Sequence, residues 1–313
     1  MTNTDILLEA GTNELEIVEF FLSEDLGGEK YQGFYGVNVA KVLRIINKPD
    51  VTEMPNTPHP CVLGAFNLRS RIIPLVDLGL WLEKKSIQSA SSKVIITEFN
   101  RVVTGFMVSG VTRIHRLSWN AVEPPDVYID DFSGGSITGV VQIEDRIVFI
   151  LDLERILAEL NPGLSMTLDV EMVSDTESGY IAYIADDSNL IRNMIADLLE
   201  KAGFKVVKFK NGQETWDELL KIKDLCSREN RPLSSILHVV VSDIEMPAMD
   251  GLTLTKKIKE DPTLGALPVI LFSSLISDRL SHKGASVGAD DQISKPEISL
   301  LAQKAMTLIQ QRL

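Results

Sequence analysis

Two kinds of hydrophobic pattern divide the chain of 313 residues. Up to about residue 152, short apolar or alternating runs recur roughly every ten residues, separated by Gly, Pro, Asn or Asp. This pattern predicts β-strands whose spacing is typical of an all-β sandwich or barrel. The runs are EIVEFFL, GFYGVNV, CVLGAFNL, RIIPLVDL, KVIITEF, RVVTGFMV, ITGVVQI and RIVFILDL. A short helix over Leu153–Leu160 is predicted to close this half.

From Tyr180 onward, strand-like runs alternate with amphipathic helices. The runs are IAYIA, KVVKF, VVVSD, PVILFSS and DQISK, and five strands separated by helices predict a parallel, doubly wound α/β sheet. The acidic polar segment between the two patterns has no sustained period. We therefore predict an all-β domain over residues 1–160, a linker over residues 161–178 and an α/β domain over residues 179–313.

Composition narrows the class of protein. Hydrophobic residues make up 44% of the chain, which is enough for substantial cores. The sequence lacks both an apolar run long enough to cross a membrane and the pattern of a signal peptide, so we expect a soluble, cytoplasmic protein without membrane insertion. Cys61 and Cys226 lie far apart in the sequence, which favours reduced thiols over a disulfide or a cysteine metal site.

The negative charge is concentrated in the first half. Residues 1–178 hold 14 basic and 26 acidic side chains, whereas residues 179–313 hold 17 and 18. Neither half offers the basic face that phosphate-backbone binding requires, which argues against nucleic acid as a partner. The four histidines show no metal-ligand spacing, and His115 is expected on a solvated strand face.

Chemically complementary side chains follow four of the five predicted parallel strands. Asp186 and Asp187 follow strand one, Asp243 ends strand three, Ser273 ends strand four and Lys295 ends strand five. The carboxyl ends of parallel strands share one edge of the sheet, so these groups should converge. Three carboxylates in a poorly hydrated crevice need a compensating cation, and Mg²⁺ suits such oxygen ligands. The lysine could hold one oxygen of a phosphate.

Each of these residues also has an ordinary explanation. Asp186 and Asp187 could cap the following helix, Ser273 could be plain strand-end chemistry, and Lys295 could be a solvated residue before proline. All of these separate explanations would have to be true together, because the complementary groups occur at four different strand ends. A shared site therefore explains the pattern better.

The motifs ADDS, SDIEMPAMDG, PVILFSS and SKP, in this order, resemble those of two-component receiver domains over nearly all of residues 180–313. The resemblance implies that Asp243 accepts a phosphoryl group from a phosphohistidine on a sensor kinase. It also implies that Asp187 ligates Mg²⁺ directly, that Asp186 does so largely through water, and that the backbone carbonyl of Glu245 is a further ligand.

The same resemblance assigns roles around the phosphoryl group. Lys295 would pair with it, Pro296 would follow a cis peptide bond that aims the lysine, and the Ser273 hydroxyl would turn toward the phosphoryl oxygens. Receivers commonly carry an aromatic switch residue three positions before the lysine. This sequence has Gln292 there, so the aromatic part of the usual switch does not carry over.

The first half is similar to the CheW-like coupling domain of bacterial chemotaxis over about residues 12–160. The motifs that carry the similarity are YGVNVAKVLRII, PNTPHPCVLGAFNLRSRIIPLVDL and ITGVVQIEDRIVFILDLERIL. A domain of this family consists of two small SH3-like barrels, and it bridges chemoreceptor tips and a histidine kinase. By this resemblance Val42, Gly64 and Arg69 belong to a partner-binding surface, although Arg69 could equally be an ordinary surface arginine. Arg44 stands where the family often has a glutamate, so a contact that needs that negative charge is in question.

A coupling domain followed by a receiver is the arrangement of the CheV family. We therefore expect a chemotaxis scaffold that couples chemoreceptors to the histidine kinase. Phosphorylation on Asp243 would adjust that coupling or drain phosphate from the kinase. The only chemistry expected is phosphotransfer and dephosphorylation at Asp243, so the protein would not be an enzyme.

Two alternatives remain. One is a magnesium-dependent phosphatase with an aspartyl nucleophile. Such enzymes usually have a second aspartate where this chain has Glu245, and their nucleophile follows strand one rather than strand three. The other is a receiver that is not phosphorylated and serves only as an interaction surface.

Overall fold

The computed structural model describes residues 11–25, 27–55, 57, 59–84, 91–99, 102–125, 136–160, 179–273 and 278–312. These residues form two compact units. One comprises residues 15–117 and 121–160, and the other comprises residues 179–312 together with 11–14 and 118–120, within those described ranges. The predicted linker, residues 161–178, lies outside the described residues.

The first unit is built from ten β-strands. In chain order they are β1 Glu14–Asp25, β2 Lys30–Asn38, β3 Val42–Asn47, β4 Val62–Leu68, β5 Arg71–Asp77, β6 Lys93–Phe99, β7 Val102–Val108, β8 Gly110–Ser118, β9 Ile137–Ile143 and β10 Arg146–Leu151. Its helices are α1 Leu78–Trp81 and α2 Leu153–Leu160, and a short 3₁₀ helix covers Val39–Lys41. Another 3₁₀ helix, Trp119–Ala121, lies at the boundary between the two units. The helix predicted at Leu153–Leu160 is therefore confirmed.

The ten strands form two five-stranded sheets, with the orders β8-β1-β2-β10-β9 (sheet one) and β3-β6-β7-β5-β4 (sheet two). In each sheet, the chain that follows one edge strand forms an isolated β-bridge with the strand at the opposite edge. Glu123 pairs with Val140 in sheet one, and Thr52 pairs with Ala65 in sheet two. Each sheet is thereby closed into a small barrel, which confirms the predicted pair of SH3-like barrels.

The core of this unit lies between the sheets. One face of β1 contributes Val18, Phe20 and Leu22, whose alternation matches the period of a strand with one face toward a core. The α2 residues Leu153, Ile156 and Leu160 pack onto the same cluster. A smaller cluster that includes Phe66, Leu75 and Ile96 fills the inside of sheet two.

The second unit alternates strands and helices. In chain order they are β11 Ile181–Ala185, α3 Asn189–Lys201, β12 Lys205–Phe209, α4 Gly212–Glu229, β13 Val239–Asp243, α5 Gly251–Glu260, β14 Val269–Ser273, α6 Asp278–Ser286, β15 Asp291–Ser294 and α7 Leu301–Gln310. Short 3₁₀ helices cover Leu233–Ser235 and Lys295–Leu300. The sheet order is β12-β11-β13-β14-β15, and every pair is parallel, as predicted.

The two central strands of this sheet explain why the following residues meet. Every residue of β13 and β14 is buried, because helices cover both faces of the sheet. The connections that leave the neighbouring strands β11 and β13 run to opposite sides of the sheet, to β12 and to β14, so a crevice is expected beyond the carboxyl ends of β11 and β13. None of the described helices is long and apolar enough to cross a membrane.

Candidate functional site

Three carboxylates meet beyond the carboxyl ends of β11 and β13. Asp186 and Asp187 directly follow β11, and Asp243 is the last residue of β13. One carboxylate oxygen from each lies within 4.8 Å of the others. Asp186 is fully buried, Asp243 is 6% exposed and Asp187 is half-buried. The crevice therefore concentrates negative charge in a poorly hydrated place.

Local hydrogen bonds hold two of these carboxylates in place. The backbone N–H of Ile244 donates to Asp243 Oδ1 at 2.8 Å, and that of Ser188 donates to Asp186 Oδ1 at 2.8 Å. The N-terminal cap of α3 is Ser188, whose Oγ accepts from the backbone N–H of Ile191. Capping of α3 is therefore done by Ser188, and the carboxylate of Asp187 is not the cap.

The lysine and the serine expected at this edge lie at the same end of the sheet. Lys295 is buried, and its Nζ lies 3.5 Å from Asp243 Oδ2. Ser273 is buried at the end of β14, where its neighbour Phe272 pairs with Asp243. The same end of the sheet thus carries three carboxylates, one ammonium group and one hydroxyl.

The cis bond expected before Pro296 stays a prediction. Pro296 lies in the first turn of the 3₁₀ helix over Lys295–Leu300. Proline suits that position, since its fixed φ matches a helix start and its missing N–H would have no partner there. Lys295 reaches Asp243 from the start of this helix.

The donor set fits magnesium. All three side chains that converge are carboxylates, and hard oxygen ligands together with water are what Mg²⁺ prefers. Glu245, the residue expected to add a backbone carbonyl, lies half-buried in the loop two positions after Asp243. Asp186, Asp187 and Asp243 would hold the ion, and its charge would offset the repulsion among them.

Gln292, at the position of the usual aromatic switch residue, lies in β15 and packs against α6. Its Oε1 atom is buried and has no hydrogen-bond partner among the described residues. A Cβ atom added to Gly284 of α6 would lie 2.6 Å from that oxygen. The Gln292 side chain therefore fills the space next to Gly284 that a larger side chain at position 284 would need.

The three residues expected on the partner surface differ in exposure. Val42 begins β3 and packs against the core, and Gly64 is buried in β4. Gly64 has φ +143°, and a Cβ there would lie 2.2 Å from the backbone oxygen of Thr52. Arg69 is exposed at the tip of the β4–β5 hairpin. Arg69 is thus the one of the three with an exposed side chain.

Two residues near these features were not singled out from the sequence. Arg192 of α3 is buried and donates to the main chain of Asp186 and Asp187. Glu19 of β1 is fully buried and lies 3.0 Å from Nε2 of His115, so His115 is not on a purely solvated face. The sequence does contain a signal for each residue. Glu19 lies within the apolar run EIVEFFL, and Arg192 directly follows the apolar residues Leu190 and Ile191.

Comparison with known proteins matches both halves of the chain. The CheW-like domain family matches residues 21–161, and the response regulator receiver domain family matches residues 182–305. The chemotaxis protein CheV3 of Helicobacter pylori is 36% identical over 285 residues, covering 88% of this chain and 89% of that protein. The chain belongs to the CheV family of chemotaxis proteins. Chemotaxis protein CheV2 of the same organism is 27% identical over 89% of this chain and 90% of its own length.

Membership in the CheV family determines the general function. The chain is a chemotaxis coupling scaffold that carries a receiver domain. The first half alone is 28% identical to chemotaxis protein CheW of Klebsiella aerogenes, covering 44% of this chain and 81% of that protein. CheV-type scaffolds with a receiver domain are generally not classical enzymes.

Proposed function

We propose that the receiver of this CheV protein is phosphorylated on Asp243. The observation that carries the proposal is the position of its carboxylate, with Asp186 and Asp187 on one side and Lys295 Nζ 3.5 Å away on the other. A carboxylate oxygen of Asp243 attacks the phosphorus of a phosphohistidine on the kinase. The O–P bond forms as the N–P bond breaks, and the released imidazole takes up a proton.

The residues around Asp243 prepare this transfer. Mg²⁺, when bound, neutralises charge on the phosphoryl oxygens. Asp186, Asp187, Asp243 and the carbonyl of Glu245 would hold that ion, and the ammonium group of Lys295 would pair with a phosphoryl oxygen. Ser273 offers a hydroxyl to another phosphoryl oxygen from the end of β14. Water later attacks the acyl phosphate and releases inorganic phosphate.

Incubation with Mg²⁺ and acetyl phosphate tests the acceptor. Intact-mass measurement should show one added phosphoryl group on the parent and none on Asp243→Asn. Asp224→Asn, at an exposed aspartate of α4, should be phosphorylated like the parent. A phosphoryl group that persists in Asp243→Asn would place the acceptor elsewhere. Failure of the parent to react with acetyl phosphate or to bind beryllofluoride would favour the receiver as an interaction surface only.

The CheW-like half supplies the docking function, with chemoreceptor tips and the histidine kinase as partners. The exposed guanidinium of Arg69 suits a carboxylate on a partner. Val42 and Gly64 contribute to this surface mainly through the shape of sheet two, since both are tied to its interior. In a pull-down with receptor and kinase, Arg69→Glu should bind at least tenfold more weakly than the parent. Arg228→Glu, at an exposed arginine of α4, should bind normally, and equal binding by Arg69→Glu would remove Arg69 from the surface.

Phosphorylation of the receiver has two candidate effects. It could adjust the coupling between receptor and kinase, or it could remove phosphoryl groups from the kinase. Kinase activity in a reconstituted receptor complex separates these roles when the receiver is held in its activated form by beryllofluoride. A changed activity in the parent, absent in Asp243→Asn, supports adjustment of coupling. Unchanged activity together with loss of phosphate from the kinase to the parent supports a phosphate sink.

A further inference from the structure

The buried guanidinium of Arg192 contacts the loop between β11 and α3, which carries the acid pair Asp186 and Asp187. The residue lies one turn into α3 and is 8% exposed. Its Nη1 donates to the backbone oxygen of Asp186 at 2.5 Å and to that of Asp187 at 3.4 Å. Its Nη2 donates to the Asn189 side-chain oxygen at 3.1 Å. One rigid group thus joins the peptide units of both candidate ligands to the start of the helix.

Helix stability alone does not explain this placement. The N-terminal end of a helix carries partial positive charge, so a cation turned toward it is unfavourable. The first turn of α3 is already capped by Ser188. A buried guanidinium needs compensation, and its location beside a crevice with three carboxylates supplies it. The position of Arg192 therefore indicates a role in that crevice.

Metal binding is the property most sensitive to such a contact. A carboxylate ligand must point in one direction, and the direction of a short aspartate side chain follows that of its own peptide group. The planar fork of an arginine can hold the two carbonyl oxygens with one arm and the Asn189 side chain with the other, which a single ammonium group does less well. Residues that orient metal ligands commonly change metal affinity about 10- to 100-fold when they are removed.

We propose that Arg192 is a positioning residue that presets Asp186 and Asp187 for Mg²⁺. This inference rests on the proposed function, because it assumes that the acid cluster holds that ion. Arg192 touches neither the phosphoryl group nor the ion, and it acts through the main chain of the two acids. Its removal should raise the Mg²⁺ concentration that the pocket needs while leaving the chemistry at saturating Mg²⁺ intact.

Calorimetric titration of the full chain with Mg²⁺ alone tests the proposal. Arg192→Gln should weaken Mg²⁺ binding about tenfold or more, and Arg192→Lys about threefold. Arg228→Gln, at an exposed arginine of α4, should bind like the parent. With acetyl phosphate, Arg192→Gln should need more Mg²⁺ for half-maximal phosphorylation, yet reach the parent rate when the metal is saturating.

The outcomes separate this inference from the proposed function. If the parent itself does not bind Mg²⁺, the proposed function fails. If the parent binds and Arg192→Gln binds equally well, Arg192 has no positioning role and the proposed function stands. A rate that stays low at saturating Mg²⁺ also rejects the inference, since general damage to the fold would produce it. If Arg192→Gln does not fold, Arg192→Lys decides, and parent-like affinity in that variant overturns the proposal.

Discussion

Glu19 is a charged side chain inside the first unit, held by polar partners from β8 and β10. Thr112 Oγ1 donates to Glu19 Oε2 at 2.5 Å, and His115 Nε2 lies 3.0 Å from the same oxygen. Arg146 donates from Nε to Oε1 at 3.0 Å, and its guanidinium lies 4.4 Å from the centre of the Phe34 ring. Burial opposes the charged form, but these hydrogen bonds and the Arg146 charge together lower the pKa of Glu19 below its ordinary value of 4.5.

Replacement of Glu19 by Gln should destabilise the CheW-like unit by about 2 kcal/mol at pH 7, because Thr112 and the half-buried Arg146 lose their charged hydrogen-bond partner. The lowered folded-state pKa means that the stabilisation by Glu19 is fully present above about pH 4.5 and is lost as pH falls through the folded-state pKa. Urea unfolding at pH 7 and in acid should therefore show a parent–variant difference that shrinks in acid.

Glu144→Gln is the matched control for Glu19. Glu144 accepts a hydrogen bond from Arg113, but its side chain is 59% exposed, so its replacement should leave the free energy of unfolding close to that of the parent. A Glu19→Gln variant as stable as the parent at pH 7 would show that Glu19 does not contribute as a charged group.

At the scale of elements, α6 packs on β15 through a glycine. Gly284 lies inside the helix, where glycine is about 1 kcal/mol less favourable than alanine. A Cβ there would meet the Gln292 side chain at 2.6 Å and Leu271 Cδ1 at 3.1 Å. The close approach of Gln292 is thus the reason for a glycine, and the two positions should be energetically coupled.

A double-mutant cycle measures this coupling. Gly284→Ala in the parent should be neutral or destabilising, because the gain in helix propensity is offset by displacement of the Gln292 amide. In the Gln292→Ala background the same change should stabilise the receiver by up to about 1 kcal/mol. Ser286→Ala, at an exposed position of α6, should show no coupling with Gln292. Additive effects at positions 284 and 292 would mean that the glycine has another cause.

At the scale of the whole molecule, the two units have separate cores. The clusters around Phe20 and Phe66 lie in the CheW-like unit, and the clusters around Val240 and Leu271 lie in the receiver. The candidate metal ligands all belong to the receiver. A ligand that binds one folded unit stabilises that unit, so Mg²⁺ should distinguish the two.

Scanning calorimetry should resolve two unfolding transitions. Mg²⁺ at about 100 times its Kd should stabilise the receiver transition by about 2.7 kcal/mol and leave the other unchanged. In Asp187→Asn, which lacks one carboxylate ligand, the shift should be much smaller at the same Mg²⁺ concentration. A shift of both transitions in parallel would contradict independent units, and no shift in the parent would contradict the metal site.

Much of the fold could be predicted because it depends on local patterns. The strand period of EIVEFFL and the alternation of strands and helices after Tyr180 reflect which faces become buried, and both predictions are confirmed. The gathering of Asp187, Asp243 and Lys295 was predictable because parallel strands end at one edge. The roles of these residues and the boundaries of the linker stay predictions.

Sequence alone therefore determined the family, the two architectures and the order of the chemical groups, since each depends on the periodicity and order of residues along the chain. Tertiary structure alone decided that Glu19 lies inside a barrel, that Gly64 must clear the Thr52 carbonyl and that Arg192 holds the loop of the acid pair. These features depend on side-chain orientation and on distances between segments that no local period specifies.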